Sequence, residues 1–213
     1  MSEHSTGDSA VGAFVAALAS SAPTPGGGAA SALAGALAAA LGEMVGNLTA
    51  SRKRFAAVEA HVRDLLARLT AQRVHLLRLI AEDTAAYQAV AVAYGLPRAT
   101  DEQRAARTDA VETALRGAMT PPADIGGAAL AVLRLTAELA NVGNPTVASD
   151  AGCAALLAEA AVRCASLNVL ANVVLLRDAA VGAAARAAAQ ARDEEATEVC
   201  RQVLAVVYAR MGA

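Results

Sequence analysis

The most regular pattern of apolar and polar positions lies between residues 55 and 94. Apolar residues there keep a seven-residue repeat, with one row reading Val62, Leu69, Leu76, Asp83, Val90 and a companion row Leu66, Arg73, Ile80, Tyr87, Tyr94. A sustained repeat of this kind predicts a long helix with a bundle or coiled-coil seam. It runs from about Phe55 until Gly95-Leu96-Pro97 ends it. Just upstream, Gly28, Ala32, Gly35, Ala39, Gly42 and Gly46 alternate steps of four and three, so one helix face has almost no side chain. Leu33, Leu37, Leu41, Met44 and Leu48 form a bulky stripe beside it. Thr24 is placed to cap this helix and Pro25 suits its first position. Glycine inside a helix costs about 0.5–1 kcal/mol relative to alanine, so the stripe needs a packing reason. It predicts very close approach of another backbone, from a neighbouring helix or from a symmetry mate in a dimer.

The remaining pattern divides into shorter helices. A first helix is expected over about 9–20. Thr100 and Asp101 open one that runs to about Met119, and Pro121-Pro122 breaks the chain. Another covers roughly 123–141, and Gly143-Asn144-Pro145 forms a turn. Ser149 or Asp150 then caps a long helix to about Arg177, and an amphipathic helix over about 180–210 closes the chain. No segment alternates with period two, so no strands are expected. The predicted fold is all-α, an antiparallel bundle of long helices. Residues 9–213 form a single domain, preceded by a disordered tail at 1–8.

Composition sharpens this picture. Hydrophobic residues make up 56% of the chain, much of it alanine, which favours helices packed closely together. Aromatic content is 2% with no Trp, which leaves few stacking platforms for single-stranded nucleic acid. A net charge of -2 gives no electrostatic reason to expect nucleic acid or an anionic membrane as partner. The stretch between Asp8 and Glu43 carries no charge and is long enough to span a bilayer. Pro23, Pro25 and three consecutive glycines interrupt it, so no spanning helix is predicted. The N-terminus also lacks the basic region of a signal peptide. Three cysteines, Cys153, Cys164 and Cys200, contain no CxxC and cannot all pair. They read as small buried hydrophobes in a reducing, cytoplasmic setting.

Candidate chemistry begins with Asp83, the one carboxylate in a row of aliphatics. A carboxylate buried in such a seam must be paired, protonated or functional. Arg73 in the companion row, or a basic residue from another helix, is the ion-pair candidate. Asp150 stands at a helix start, where capping is its ordinary role. Asn168 follows eighteen residues on, five full turns, with Asn172 at i+4. Two asparagines on an apolar face either bond across helices or read the edge of a heterocycle. Pro25, Gly26, Gly27 and Gly28 offer backbone amides at a helix N-terminus, which suits an anion or a tight turn equally. Arg52-Lys53-Arg54 is either a solvated helix end or a grip for an acidic ligand. His4, His61 and His75 are scattered, with no HExxH or Cys/His cluster, so no metal is expected.

Several of these segments together resemble a known family. Ser21-Ala-Pro-Thr-Pro-Gly-Gly-Gly28, Met44-Val-Gly-Asn-Leu-Thr49, Ala81-Glu-Asp-Thr-Ala-Ala-Tyr87, Tyr94-Gly-Leu-Pro97 and Thr100-Asp-Glu-Gln-Arg-Ala-Ala106 occur in order. Gly143-Asn-Pro-Thr-Val-Ala-Ser-Asp-Ala-Gly152 and Leu167-Asn-Val-Leu-Ala-Asn172 complete the set. They resemble the cyclodeaminase/cyclohydrolase family of one-carbon folate metabolism. The resemblance implies an all-helical homodimer with folate bound near the subunit interface and no cofactor or metal beyond the tetrahydrofolate substrate. It assigns catalysis to Asp83, with Asp150 as a second candidate. It assigns substrate binding to Pro25, Gly26, Gly27, Gly28, Arg52, Lys53, Asn144, Ser149, Asn168 and Asn172. Ser51 departs from the glycine often found before the family's basic pair. The absence of a formiminotransferase domain, and the wording of SSAPTPGGG and AYGLPRATDEQRAAR, favour a methenyltetrahydrofolate cyclohydrolase. The alternatives are a formiminotetrahydrofolate cyclodeaminase and a non-catalytic, folate-binding or scaffold dimer.

Overall fold

The computed structural model describes residues 10–212, so the tail expected at 1–8 lies outside the described residues. Among the described residues seven α-helices follow one another: α1 (Ala10–Leu18), α2 (Gly27–Ala50), α3 (Glu59–Tyr94), α4 (Asp101–Ala118), α5 (Thr120–Val142), α6 (Ala148–Val173) and α7 (Ala179–Met211). Short 3₁₀ turns over Lys53–Val58 and Pro145–Val147 lead into α3 and α6. No strand occurs among the described residues.

Helix α2 is the axis of the bundle, and its small stripe explains why. All six stripe residues are buried. A Cβ on Gly35 would lie 3.1 Å from Leu76, and one on Gly42 3.1 Å from Leu69. One on Gly28 would overlap the Asp83 carboxylate. Positions 28, 35 and 42 thus pair with 83, 76 and 69, seven-residue steps running in opposite directions. The heptad row of α3 inserts as knobs into glycine-floored holes of an antiparallel α2. The close neighbour is therefore the chain's own α3, not a symmetry mate. The bulky stripe is less deeply placed, with Leu37 50% exposed and Met44 38%, and Leu33, Leu41 and Leu48 part-buried.

On the other side, α6 runs antiparallel to α2, with Asn168 against Gly27 at one end. At the other end Asn144 meets Thr49, its backbone N–H donating to the threonine Oγ1 at 2.9 Å. α5 runs parallel to α2, Ala129 beside Gly35 and Thr136 beside Gly42. α7 covers α5 and α6, and Val207 packs on Gly152. One core of Ala, Val and Leu threads α2, α3, α5, α6 and α7. α2, α4–α5 and the turn-plus-α6 segment each contain a stretch long and apolar enough to cross a bilayer, and each buries roughly half of it inside the bundle.

Several expected boundaries move, each for a tertiary reason. Helix α2 starts at Gly27, with Gly26 as its N-cap and no side-chain cap, so neither Thr24 nor Pro25 plays the expected part. The Asp83 carboxylate accepts from the Ala29 amide instead, doing from another helix what a local cap does for a first turn. Helix α3 begins at Glu59 because the chain kinks at Phe55. Pro121 and Pro122 do not break the chain. They occupy the first turn of α5, where a missing N–H costs nothing. Helix α6 starts at Ala148 with Val147 as N-cap, so neither Ser149 nor Asp150 caps it. The preceding turn feeds straight into the helix and is capped by Asn144, whose Oδ1 accepts from the Thr146 N–H at 3.1 Å. That helix ends at Val173, and Asp178 caps α7 with bonds from Ala180 and Val181. Thr100 does cap α4, in a reciprocal box with Gln103.

Candidate active site

At the α2 N-terminus five helices and a loop enclose a cavity of about 460 Å³. The loop and α2 supply Pro23, Thr24, Gly26, Gly27 and Gly28, and α3 supplies Asp83, Ala86, Tyr87, Val90, Ala91 and Tyr94. Leu115 and Ala118 come from α4, Pro122 from α5, and Asn168, Ala171, Asn172 and Leu175 from α6 and its end. Asp83 is the only charged residue in this wall among the described residues.

The position of Asp83 follows from the heptad register. It fills the slot that Leu69 and Leu76 fill further down α3. The shorter carboxylate there reaches a helix end with open amides. Its expected partner is engaged elsewhere, since Arg73 Nε donates to Glu43 Oε1 at 2.6 Å. That pair holds the Arg73 guanidinium pKa above its ordinary value. No cation pairs with Asp83 among the described residues. Burial pushes its carboxyl pKa up, and the Ala29 N–H opposes this without cancelling it. A half-buried carboxylate with one amide donor and no counter-ion is a stronger base than an exposed one. It also attracts positive charge in a wall that is otherwise neutral.

Of the two asparagines, Asn172 makes the expected bond across helices, whereas Asn168 bonds within α6. Asn168 Nδ2 donates to the Cys164 carbonyl at 2.8 Å. Asn172 Nδ2 donates across helices to the Ala118 carbonyl at 3.3 Å and to the Asn168 carbonyl at 3.1 Å. With both amide nitrogens anchored on backbone, the two Oδ1 atoms remain as acceptors along the cavity wall. Gly27 packs tightly beside them, since a Cβ there would sit 3.2 Å from the Asn168 amide.

The other expected site residues lie elsewhere in the chain. Pro25 is in the turn but does not line the cavity. Arg52 and Lys53 follow the far end of α2, which spans 24 residues, or roughly 36 Å of helix. Both are exposed. Asn144 is buried beside them, its Oδ1 taking Arg54 Nη2 at 2.5 Å and its Nδ2 donating to the Leu48 carbonyl at 3.2 Å. Ser149 and Asp150 stand at that same end, in the first turn of α6. Asp150 shares a helix face with Asn168, yet eighteen residues separate them by roughly 27 Å. Within one chain, then, the expected residues form two groups at opposite ends of the bundle. His75 faces a shallow surface depression instead, Arg78 Nη2 lying 3.0 Å from its Nδ1.

Sequence reasoning missed Pro23, Thr24, Tyr87, Tyr94, Leu115, Pro122 and Leu175 as wall residues. Tyr87 and Tyr94 carried a usable signal. They end the companion row of the seam, which places them on the same side of α3 as Asp83. No local pattern marks the others.

Residues 10–191 match the profile of a family described as formiminotransferase-cyclodeaminase. The chain is 44% identical to a methenyltetrahydrofolate cyclohydrolase of Methylorubrum extorquens over 174 residues, 82% of this chain and 84% of that one. It is 32% identical over 176 residues to the formimidoyltransferase-cyclodeaminase of Rattus norvegicus, 83% of this chain but 32% of that longer protein. The crystal structure of a formiminotetrahydrofolate cyclodeaminase from Thermotoga maritima superposes with a TM-score of 0.84 at 26% identity, covering 95% of this chain and 97% of that one.

Proposed function

The chain belongs to the formiminotransferase-cyclodeaminase family, and we propose that it is a methenyltetrahydrofolate cyclohydrolase that opens 5,10-methenyltetrahydrofolate to 10-formyltetrahydrofolate with Asp83 as its catalytic residue. The supporting observation is the Asp83 carboxylate, which among the described residues has no ion-pair partner and is the only charge in the cavity wall. The substrate's reactive carbon lies in an amidinium cation. Such a cation is the natural counter-ion for this carboxylate, and a partly desolvated wall strengthens their attraction. The 44% identity to a cyclohydrolase, against 32% to a cyclodeaminase, favours water over ammonia chemistry.

In this mechanism Asp83 orients a water molecule and takes its proton as the oxygen bonds to the amidinium carbon. The tetrahedral adduct then breaks its bond to N5, which leaves with the electron pair and takes a proton back. One proton is released overall. Burial tunes Asp83 for the first step by raising its basicity. Asn168 and Asn172 present acceptors to the N–H edge of the pterin, and Tyr87 and Tyr94 flank the aminobenzoyl ring. No group beyond substrate and water is needed.

A homodimer fits the surface. Leu37 and Met44 on α2 are exposed, and so are Leu156 and Leu167 on the neighbouring α6, at 50% and 67%. Helix α1 is apolar with no buried residue. An antiparallel pairing across this face would lay the Arg52–Lys53 end of each protomer beside the Asp83 end of the other. Leu37→Glu is expected to halve the mass measured by light scattering. A mass identical to the parent's rejects this interface.

The function itself is tested by following loss of the methenyl chromophore with purified protein, beside ammonia release from formiminotetrahydrofolate. Hydrolysis that Asp83→Asn abolishes is expected. Ammonia release without hydrolysis would reassign the protein as a cyclodeaminase. Full activity of Asp83→Asn in both assays would remove Asp83 from the mechanism.

A further inference from the structure

The cavity that holds the proposed reaction has no cation in its wall among the described residues. Its substrate, on the folate reading adopted above, ends in a glutamate with two carboxylates. The chain's own Arg52 and Lys53 are a helix length away. A second, smaller cavity of about 200 Å³ opens beside the first and shares Tyr94 and Leu175 with it. Arg107 from α4 and Arg177 from the loop after α6 both line it.

We propose that Arg107 and Arg177 form a carboxylate clamp that receives the glutamate tail of the substrate bound in the same chain. Arg107 is pre-positioned for this work. Its Nε and Nη2 donate to the Tyr94 carbonyl at 3.2 and 3.1 Å, and its guanidinium lies 5.5 Å from the centroid of the Tyr94 ring. Nη1 is left over, and no carboxylate pairs with it among the described residues. The Arg177 side chain likewise has no acidic partner among them. Two planar cations without counter-ions, one already immobilised, suit bidentate capture of carboxylates.

Glu112, the one acid in this cavity among the described residues, is already engaged. Its oxygens accept the backbone N–H of Arg177 at 3.0 Å and of Asp178 at 3.3 Å, with Arg116 at 3.5 Å. These bonds, the Arg177 amide first, hold its carboxyl pKa below the ordinary value and fix the loop that carries Arg177. Length agrees as well. Eleven residues of α3 separate Asp83 from Tyr94, or roughly 16 Å of rise. That matches the reach of a p-aminobenzoylglutamate arm from the reacting carbon, with Tyr94 as the threshold between the cavities.

The test compares 5,10-methenyltetrahydrofolate with methenyltetrahydropteroate, which has the same reacting ring and no glutamate. The parent is expected to favour the glutamate-bearing substrate at least ten-fold in kcat/KM. The Arg107→Gln/Arg177→Gln variant should lose most of that ratio, through a KM that rises ten-fold or more while kcat falls far less. If Arg52→Gln/Lys53→Gln removes the preference and the arginine pair does not, the tail lies across the subunit boundary and the clamp is refuted. A titration of p-aminobenzoylglutamate against p-aminobenzamide, read by thermal shift, needs no turnover. Tighter binding of the glutamate compound that depends on Arg107 and Arg177 would sustain the clamp even if hydrolysis failed. Equal binding of both compounds to the parent would overturn it.

Discussion

Gly28→Ala adds one methyl group at the floor of the Asp83 slot. An ideal Cβ at that position falls inside van der Waals contact of all three carboxyl atoms of Asp83. The backbone of α2 cannot retreat, because the same stripe is held against Leu76 and Leu69 below. The carboxylate must therefore rotate away and give up the Ala29 amide. Alanine returns up to about 1 kcal/mol in helix propensity, and a strained rotamer at Asp83 costs about 0.5–1.5 kcal/mol. The lost amide bond adds about 0.5–1.5 kcal/mol, so the net cost is at most about 2 kcal/mol and the melting temperature should fall by no more than about 8 °C for a domain of this size. Catalysis should not be spared, since displacing a reacting group by about 1 Å costs on the order of 100-fold. Chromophore loss under saturating substrate measures kcat, and calorimetry measures Tm. Adding Gly28→Ala to Asp83→Asn should then cost little more, because both act on one group. A Gly28→Ala enzyme within three-fold of the parent kcat would show that the carboxylate's place is not what matters. Additive losses in the double variant would lead to the same conclusion.

Further expectations follow from single groups. Burial raises the Asp83 carboxyl pKa in the folded chain, so its ionised form opposes folding at every pH above that raised value. Asp83→Asn should therefore melt higher than the parent at pH 7, with the difference vanishing as the pH falls below the ordinary carboxylate range. A variant less stable at pH 7 contradicts the argument. The same raised pKa predicts an acid limb in kcat/KM lying above the usual carboxylate titration, and a limb at an ordinary carboxylate pKa would contradict it. Asn144→Ala removes a side chain only 1% exposed and strands the Leu48 carbonyl and the Thr146 amide. It should cost roughly 2–4 kcal/mol, seen as a lower urea midpoint at unchanged slope, and a midpoint equal to the parent's would refute this.

What could be read from the chain alone was its angular information. Periodicity correctly identified the buried stripe of α2, the seam of α3 and the anomaly at Asp83, because side-chain direction repeats with residue number. It could not give height along an axis in relation to other helices. Asp150 and Asn168 share a face, and only the folded chain shows them at opposite ends. The same limit hid Leu115, Pro122 and Leu175, which meet at one end of the bundle because α4, α5 and α6 converge there. Helix starts failed where the stabilising partner was remote. Thr24 looked like a cap, but the open amide of α2 is taken by a carboxylate more than fifty residues away in sequence.

The buried stripe of α2 also determines how this sequence is free to change. Four of its six positions already carry the smallest residue, and the two alanines can shrink only to it. Almost every substitution there adds volume, so drift along the stripe runs one way, towards overpacking. Opposite Gly35 and Gly42 the facing leucine can shorten in exchange, and each pair can trade size across the helix boundary. Opposite Gly28 no such trade is available, because the facing group is held by its chemistry. Related chains should therefore vary as matched pairs along the lower stripe and stay fixed at its top, where the exchange of volume stops at the cavity.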